Sequence, residues 1–123
     1  MNYRNRHLES KILKFSKISP ALLLTGARQA GKSTLLAHVL DPAIRHIVFD
    51  PVVDVGNARQ DPEFFLSQNL PPIILDEIQY APELLPVIKR RIDRDDRPGQ
   101  YFLTGSQNLA LSLIHISEPT RPY

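Results

Sequence analysis

The sequence contains no cysteine and no tryptophan, and only five of its 123 residues are glycine. Without cysteine there is no disulfide scaffold and no thiolate zinc site; that is compatible with a reducing cytosol without demanding one, and a cytoplasmic setting is the expectation adopted. No apolar run approaches the roughly 20 residues that a membrane-spanning helix needs, so no membrane partner is expected. The opening residues Met1-Asn2-Tyr3-Arg4-Asn5-Arg6 lead into no apolar segment of the signal-peptide type. Charge of one sign is scarce too: fifteen Lys and Arg face thirteen Asp and Glu, a net +2. That balance permits contact with nucleic acid without arguing for it. What remains is ordinary for a globular chain, with 42% hydrophobic and 23% charged residues. The length suits one domain with a real core.

Scarce glycine makes its placement informative, and two of the five bracket one short stretch. Gly26-Ala27-Arg28-Gln29-Ala30-Gly31-Lys32-Ser33 fits G-x-x-x-x-G-K-[ST], the phosphate-binding P-loop or Walker A pattern. Four fixed positions match by chance in roughly 0.4% of chains this long, so the surroundings must decide. Ala21-Leu22-Leu23-Leu24-Thr25 before it is a short apolar run suited to a buried strand. Lys32 to Leu40 after it reads as a helix, stopped by Asp41-Pro42. Strand, loop and helix are what a phosphate cradle requires. Loop amides from Gly26, Ala27, Arg28, Gln29, Ala30 and Gly31, at the positive end of the helix, would face the phosphates. Lys32 would reach the β- and γ-phosphates, with Thr34 beside it in the first helical turn. The Ser33 hydroxyl would ligate Mg²⁺.

The rest of the chain supplies the partners of that loop. Leu8, Ile12 and Phe15 have helical spacing over residues 4–16, which predicts a packing helix with its lysines on other faces. His46-Ile47-Val48-Phe49-Asp50 predicts a second strand. Asp50 at its end either supports a magnesium shell or caps a loop, with the loop favoured. Asp61-Pro62-Glu63 signals a helix start, aspartate as cap and proline in the first turn. Ile73-Ile74-Leu75-Asp76-Glu77 is an apolar strand ending in two carboxylates, the Walker B pattern. Asp76 would hold Mg²⁺, and Glu77 would act as general base on water. Pro82 to Ile92 predicts a helix, with Pro86 forcing its own place into the first turn. The mixed-charge run from Lys89 to Arg97 is read as a solvated helix end. Gln100 to Ser106 predicts a fourth strand, and Thr104 and Ser106 are both candidates to sense the γ-phosphate. Spacing does not choose between them.

Taken together, LLLTGARQAGKSTLL, ARQDPEFFL, IILDEIQYAPELLPVIKRRID and YFLTGSQNL resemble AAA-type P-loop ATPases whose nucleotide domain precedes a restriction-endonuclease-like domain. The resemblance covers residues 4–110. It implies a sheet in which the P-loop strand is flanked by the fourth strand, then the third and second. It also implies ATP as the nucleotide, with Thr104 to Ser106 as the sensor-1 region.

The expected fold is therefore α/β, a three-layer αβα sandwich with a mainly parallel sheet, forming a truncated P-loop NTPase domain. Residues 1–20 form an N-terminal helix region and 21–110 the ATPase core. Residues 111–123 are expected to be foreign: Leu111 to Arg121 resembles the translation of a transposase-end adapter from sequencing libraries. On that reading a fifth strand, an arginine finger and the second domain lie beyond the cut, and His115 is no ligand. The expected activity is Mg²⁺-dependent ATP hydrolysis by the parent protein, with this fragment at most binding-competent. The alternative is a nucleotide-dependent switch or scaffold with little turnover. A homo-oligomer or a protein partner is expected on either reading.

Overall fold

The computed structural model describes residues 5–25 and 32–106, with the side chains of Asn5, Arg6, Lys32 and Ser33 excepted. Four strands run β1 (Ala21–Thr25), β2 (Arg45–Val48), β3 (Ile73–Asp76) and β4 (Tyr101–Gly105). They form one sheet in the order β1-β4-β3-β2, and every neighbouring pair is parallel. This is the order the resemblance implied. The helices are α1 (Asn5–Ser16), α2 (Lys32–Val39), α3 (Pro62–Gln68) and α4 (Leu84–Arg94).

Alternation along the strands sends side chains to two cores, one on each face. Leu22 and Leu24 of β1, Ile74 of β3 and Phe102 of β4 pack with Ile12 of α1 and Leu35 and Leu36 of α2. Leu8 and Phe15 lie half-buried at the margin of that core, so the spacing seen in the sequence is the packing face of α1. On the opposite face Ile73, Leu75, Tyr101 and Leu103 meet Phe65 and Leu66 of α3 and Leu84, Leu85, Ile88 and Ile92 of α4. The result is helix, sheet and helix in three layers.

The central strands β3 and β4 are buried at every position, as parallel strands covered on both faces must be. Edge strand β1 alternates between buried and half-buried. Among the described residues it pairs with β4 alone.

Local chemistry explains the boundaries. Asp61 caps α3 by accepting the Phe64 N–H at 3.2 Å, and Pro62 opens the first turn. Replacing Asp61 with alanine is expected to cost about 1 kcal/mol, the usual value of such a cap, measured by urea unfolding. The fourth helix begins at Leu84 rather than Pro82. The physical reason is Pro86, whose missing N–H goes unnoticed only within the first turn. The third helical position is where it falls.

Most charges of the mixed-charge run are ion-paired. Lys89 bonds Asp93 one turn on, Arg90 and Arg91 reach Glu63 of α3, and Arg97 pairs with Asp95. The Gln100 side chain donates to the Asp95 and Arg97 carbonyls, each at 2.7 Å, closing the turn into β4.

Candidate functional site

Parallel strands place their ends together, and the carboxyl ends of β1, β4 and β3 lie level at one end of the sheet. Leu24 pairs with Thr104 across β1 and β4. Leu75 pairs with Leu103 across β3 and β4, which sets Asp76 beside Thr104. Ile74 and Phe102, two residues earlier, belong to the core under α1 and α2. By the two-residue period of a strand, Asp76 and Thr104 share that face. The segment Gly26–Gly31 leaves the same end of β1 and enters α2 at Lys32. Open α/β sheets bind their ligands at such carboxyl ends.

Asp76 is 6% exposed and Thr104 fully buried. The Thr104 hydroxyl donates a hydrogen bond to Asp76 Oδ1 and accepts the Glu77 N–H at 2.9 Å. One hydroxyl therefore ties together both carboxylate-bearing residues. The other carboxylate oxygen of Asp76, Oδ2, lies 3.1 Å from His46 Nε2. His46 stands on β2 two residues before Val48, which pairs with Asp76, so it occupies the same face one strand further out. Nothing in the sequence marked His46 as a neighbour of this site. Only the register of β2 against β3 brings it there.

Glu77 follows with φ 62° and ψ 48°, a left-handed conformation that costs a non-glycine residue about 1–3 kcal/mol. The strand breaks here, and a single 3-10 turn over Ile78–Tyr80 begins. Ile78 is fully buried and pins that turn to the core. The Thr104 bond to the Glu77 N–H helps to offset the strain. The Glu77 carboxylate, through Oε1, accepts from Gln79 Nε2 at 2.7 Å. Gln79 Oε1 is buried without a hydrogen-bond partner among the described residues, a state that costs about 1–3 kcal/mol.

Of the remaining sequence-based candidates, Ser106 lies one residue past β4, half-buried. It makes no side-chain hydrogen bond to the described residues. The structure thus brings Thr104, and not Ser106, to the two carboxylates. Asp50 caps its own loop: Oδ2 accepts the Val52 and Val53 N–H groups, both at 2.8 Å. Those bonds, Val53 first, hold its carboxyl below the usual range. Thr34 is exposed in the first turn of α2. Gly26, Ala27, Arg28, Gln29, Ala30, Gly31 and the side chains of Lys32 and Ser33 lie outside the described residues, as do residues 107–123.

The carboxylate of Asp76 suits a hard divalent cation. Mg²⁺ is held by one or two protein oxygens together with phosphates and waters rather than by a protein cage. A buried, anchored carboxylate at the carboxyl end of β3 is that kind of donor. With the geometry in place, comparison with known proteins decides the family. The model of a family described as "AAA domain" matches residues 19–121. The chain belongs to this AAA-domain family. The matched range continues through the segment 111–121.

Two curated relatives of the AAA-domain chain are uncharacterized proteins of Mycobacterium tuberculosis (strain H37Rv) and Mycobacterium bovis. Each is 37% identical over 89 residues, covering 72% of this chain. The chain spans about one fifth of the length of either relative, 20%. No solved structure matches it. Among the described residues no helix is long and apolar enough to cross a membrane.

Proposed function

We propose that this AAA domain binds ATP with Mg²⁺ and hydrolyses it, as part of a longer protein. The observation that carries the reading is the buried Asp76–Thr104 pair. It stands at the ends of the two central strands, on the face where Gly26–Ser33 leads from β1 into α2. Membership of the AAA family supports ATP as the nucleotide.

The residues divide the work. The amides of the Gly26–Gly31 segment and the Lys32 ammonium bind the phosphates and stabilise the charge that grows on them during transfer. Ser33 and Asp76 would hold Mg²⁺, with Thr104 and His46 fixing the Asp76 carboxylate on either side. When bound, Mg²⁺ neutralises charge on the β- and γ-phosphate oxygens. Glu77 takes a proton from water as the water oxygen bonds to the γ-phosphorus. The bond from that phosphorus to the β–γ bridging oxygen breaks, releasing ADP and phosphate.

The direct test is titration of a fluorescent ATP analogue with steady-state phosphate release measured beside it. Lys32→Ala is expected to weaken nucleotide binding by at least about 100-fold, near 3 kcal/mol, because it removes a phosphate-facing charge. Unchanged affinity in that variant would remove Lys32 from the site. Tight binding with no phosphate release by the unsubstituted, full-length protein would favour a nucleotide switch instead.

A further inference from the structure

We propose that Gln79 is a positioning residue that holds the Glu77 carboxylate in place for activation of water. The inference rests on the reading of Glu77 as general base and adds to it a residue with no role so far. Three observations carry it.

The first is the bond itself, from Gln79 Nε2 to Glu77 Oε1 at 2.7 Å. An amide nitrogen can only donate and an ionised carboxylate can only accept, so the pairing has one sense. It engages Oε1 and leaves Oε2 to take a proton.

The second is the rigidity of the platform. Gln79 lies between fully buried Ile78 and almost fully buried Ala81. The turn is closed by the Tyr80 N–H on the Glu77 carbonyl at 3.1 Å and the Ala81 N–H on the Ile78 carbonyl at 2.9 Å. The backbone that carries Gln79 is thereby fixed relative to that of Glu77.

The third is the direction of the amide. Gln79 Oε1 is buried and finds no donor among the described residues. Among the described residues the side chain therefore bridges Glu77 to no second group. Its described hydrogen bond goes to Glu77.

These contacts join the two acidic residues into one hydrogen-bonded chain. It passes from Asp76 through the Thr104 hydroxyl to the Glu77 backbone, and from the Glu77 carboxylate to Gln79. The left-handed backbone at Glu77 aims the side chain, and Gln79 fixes its tip. A general base has to lie within hydrogen-bond reach of the proton it removes. A misplacement of about 1 Å costs on the order of 100-fold in rate.

The test compares Gln79→Ala, Gln79→Glu and Glu77→Gln in the full-length protein, measuring ATP affinity, kcat and thermal unfolding. Gln79→Glu keeps size and shape but replaces the donor with a second carboxylate facing Glu77. If Gln79→Ala does not fold, Gln79→Glu carries the test. The expected result is a fall in kcat of about 10- to 100-fold, the range of outer-shell substitutions, with ATP affinity unchanged. Unchanged kcat in both Gln79 variants, while Glu77→Gln is inactive, would overturn the inference and leave the reading of Glu77 standing. Lost ATP affinity at unchanged kcat would overturn it as well. A rise in kcat would do so too, since the amide would then be restraining the base. Full turnover by Glu77→Gln would remove the general base itself, and the role of Gln79 with it.

Discussion

Glu77→Gln is expected to bind ATP as tightly as the parent protein and to release phosphate about 100- to 10,000-fold more slowly, the span over which a positioned general base contributes. The substitution is nearly isosteric, and the amide oxygen it introduces still accepts the bond that Gln79 donates to Oε1. The left-handed backbone and the bond from the Glu77 N–H to Thr104 do not depend on the carboxylate. Binding and folding are therefore retained while proton acceptance is lost. Phosphate release under saturating ATP, set beside nucleotide affinity in the same preparation, separates the two effects. Phosphate release at the parent rate would show that another group, or none, accepts the proton. A loss of affinity equal to the loss of rate would place Glu77 in binding rather than in chemistry.

The choice of Glu77 follows from the chain itself, because an apolar strand ending in Asp-Glu leaves few other readings. The same holds for the larger frame. β1, α2 and β3 are legible because strand burial and helix stops are local properties of the chain. So is the start of α3 at Asp61-Pro62. The strand order rests on the resemblance, since pairing between segments far apart in sequence leaves no local signal.

Where the sequence falls short, the missing information is a relation between segments. Thr104 and Ser106 are both hydroxyls near the end of one strand, two residues apart. By alternation they begin on the same side, so spacing alone cannot separate them. The register of β4 on β3 sets Thr104 level with Asp76, which it bonds. His46 escapes for a related reason. A histidine in a short, largely exposed strand looks like surface until β2 is laid beside β3. Gln79 is visible only as a letter in the LDEIQ block. Its role depends on a left-handed residue at Glu77, a conformation that no local signal announces for glutamate. Asp50 shows the opposite case. Its two backbone hydrogen bonds are the short-range geometry expected of an aspartate before a turn, and the loop reading follows from that.

Thr104 also yields the sharpest test of how the site is assembled. Thr104→Val preserves shape and removes the hydroxyl from a fully buried position. Two groups then lose a partner together: Asp76 Oδ1 loses its donor and the Glu77 N–H its acceptor. Buried polar groups left unpaired cost about 1–3 kcal/mol each. The variant is thus expected to lose about 2 kcal/mol or more, which for a domain of this size lowers Tm by roughly 10 °C. Because Asp76 and Glu77 are loosened by the same change, kcat should fall by at least about 10-fold. Thr104→Ser restores the hydroxyl at the cost of one methyl group and should recover most of the turnover. That rescue separates the hydrogen bonds from the packing, which the valine retains and the serine reduces. If valine supported full turnover, the hydroxyl would be a prop for the fold alone, and the link between the two carboxylates would have no part in the chemistry.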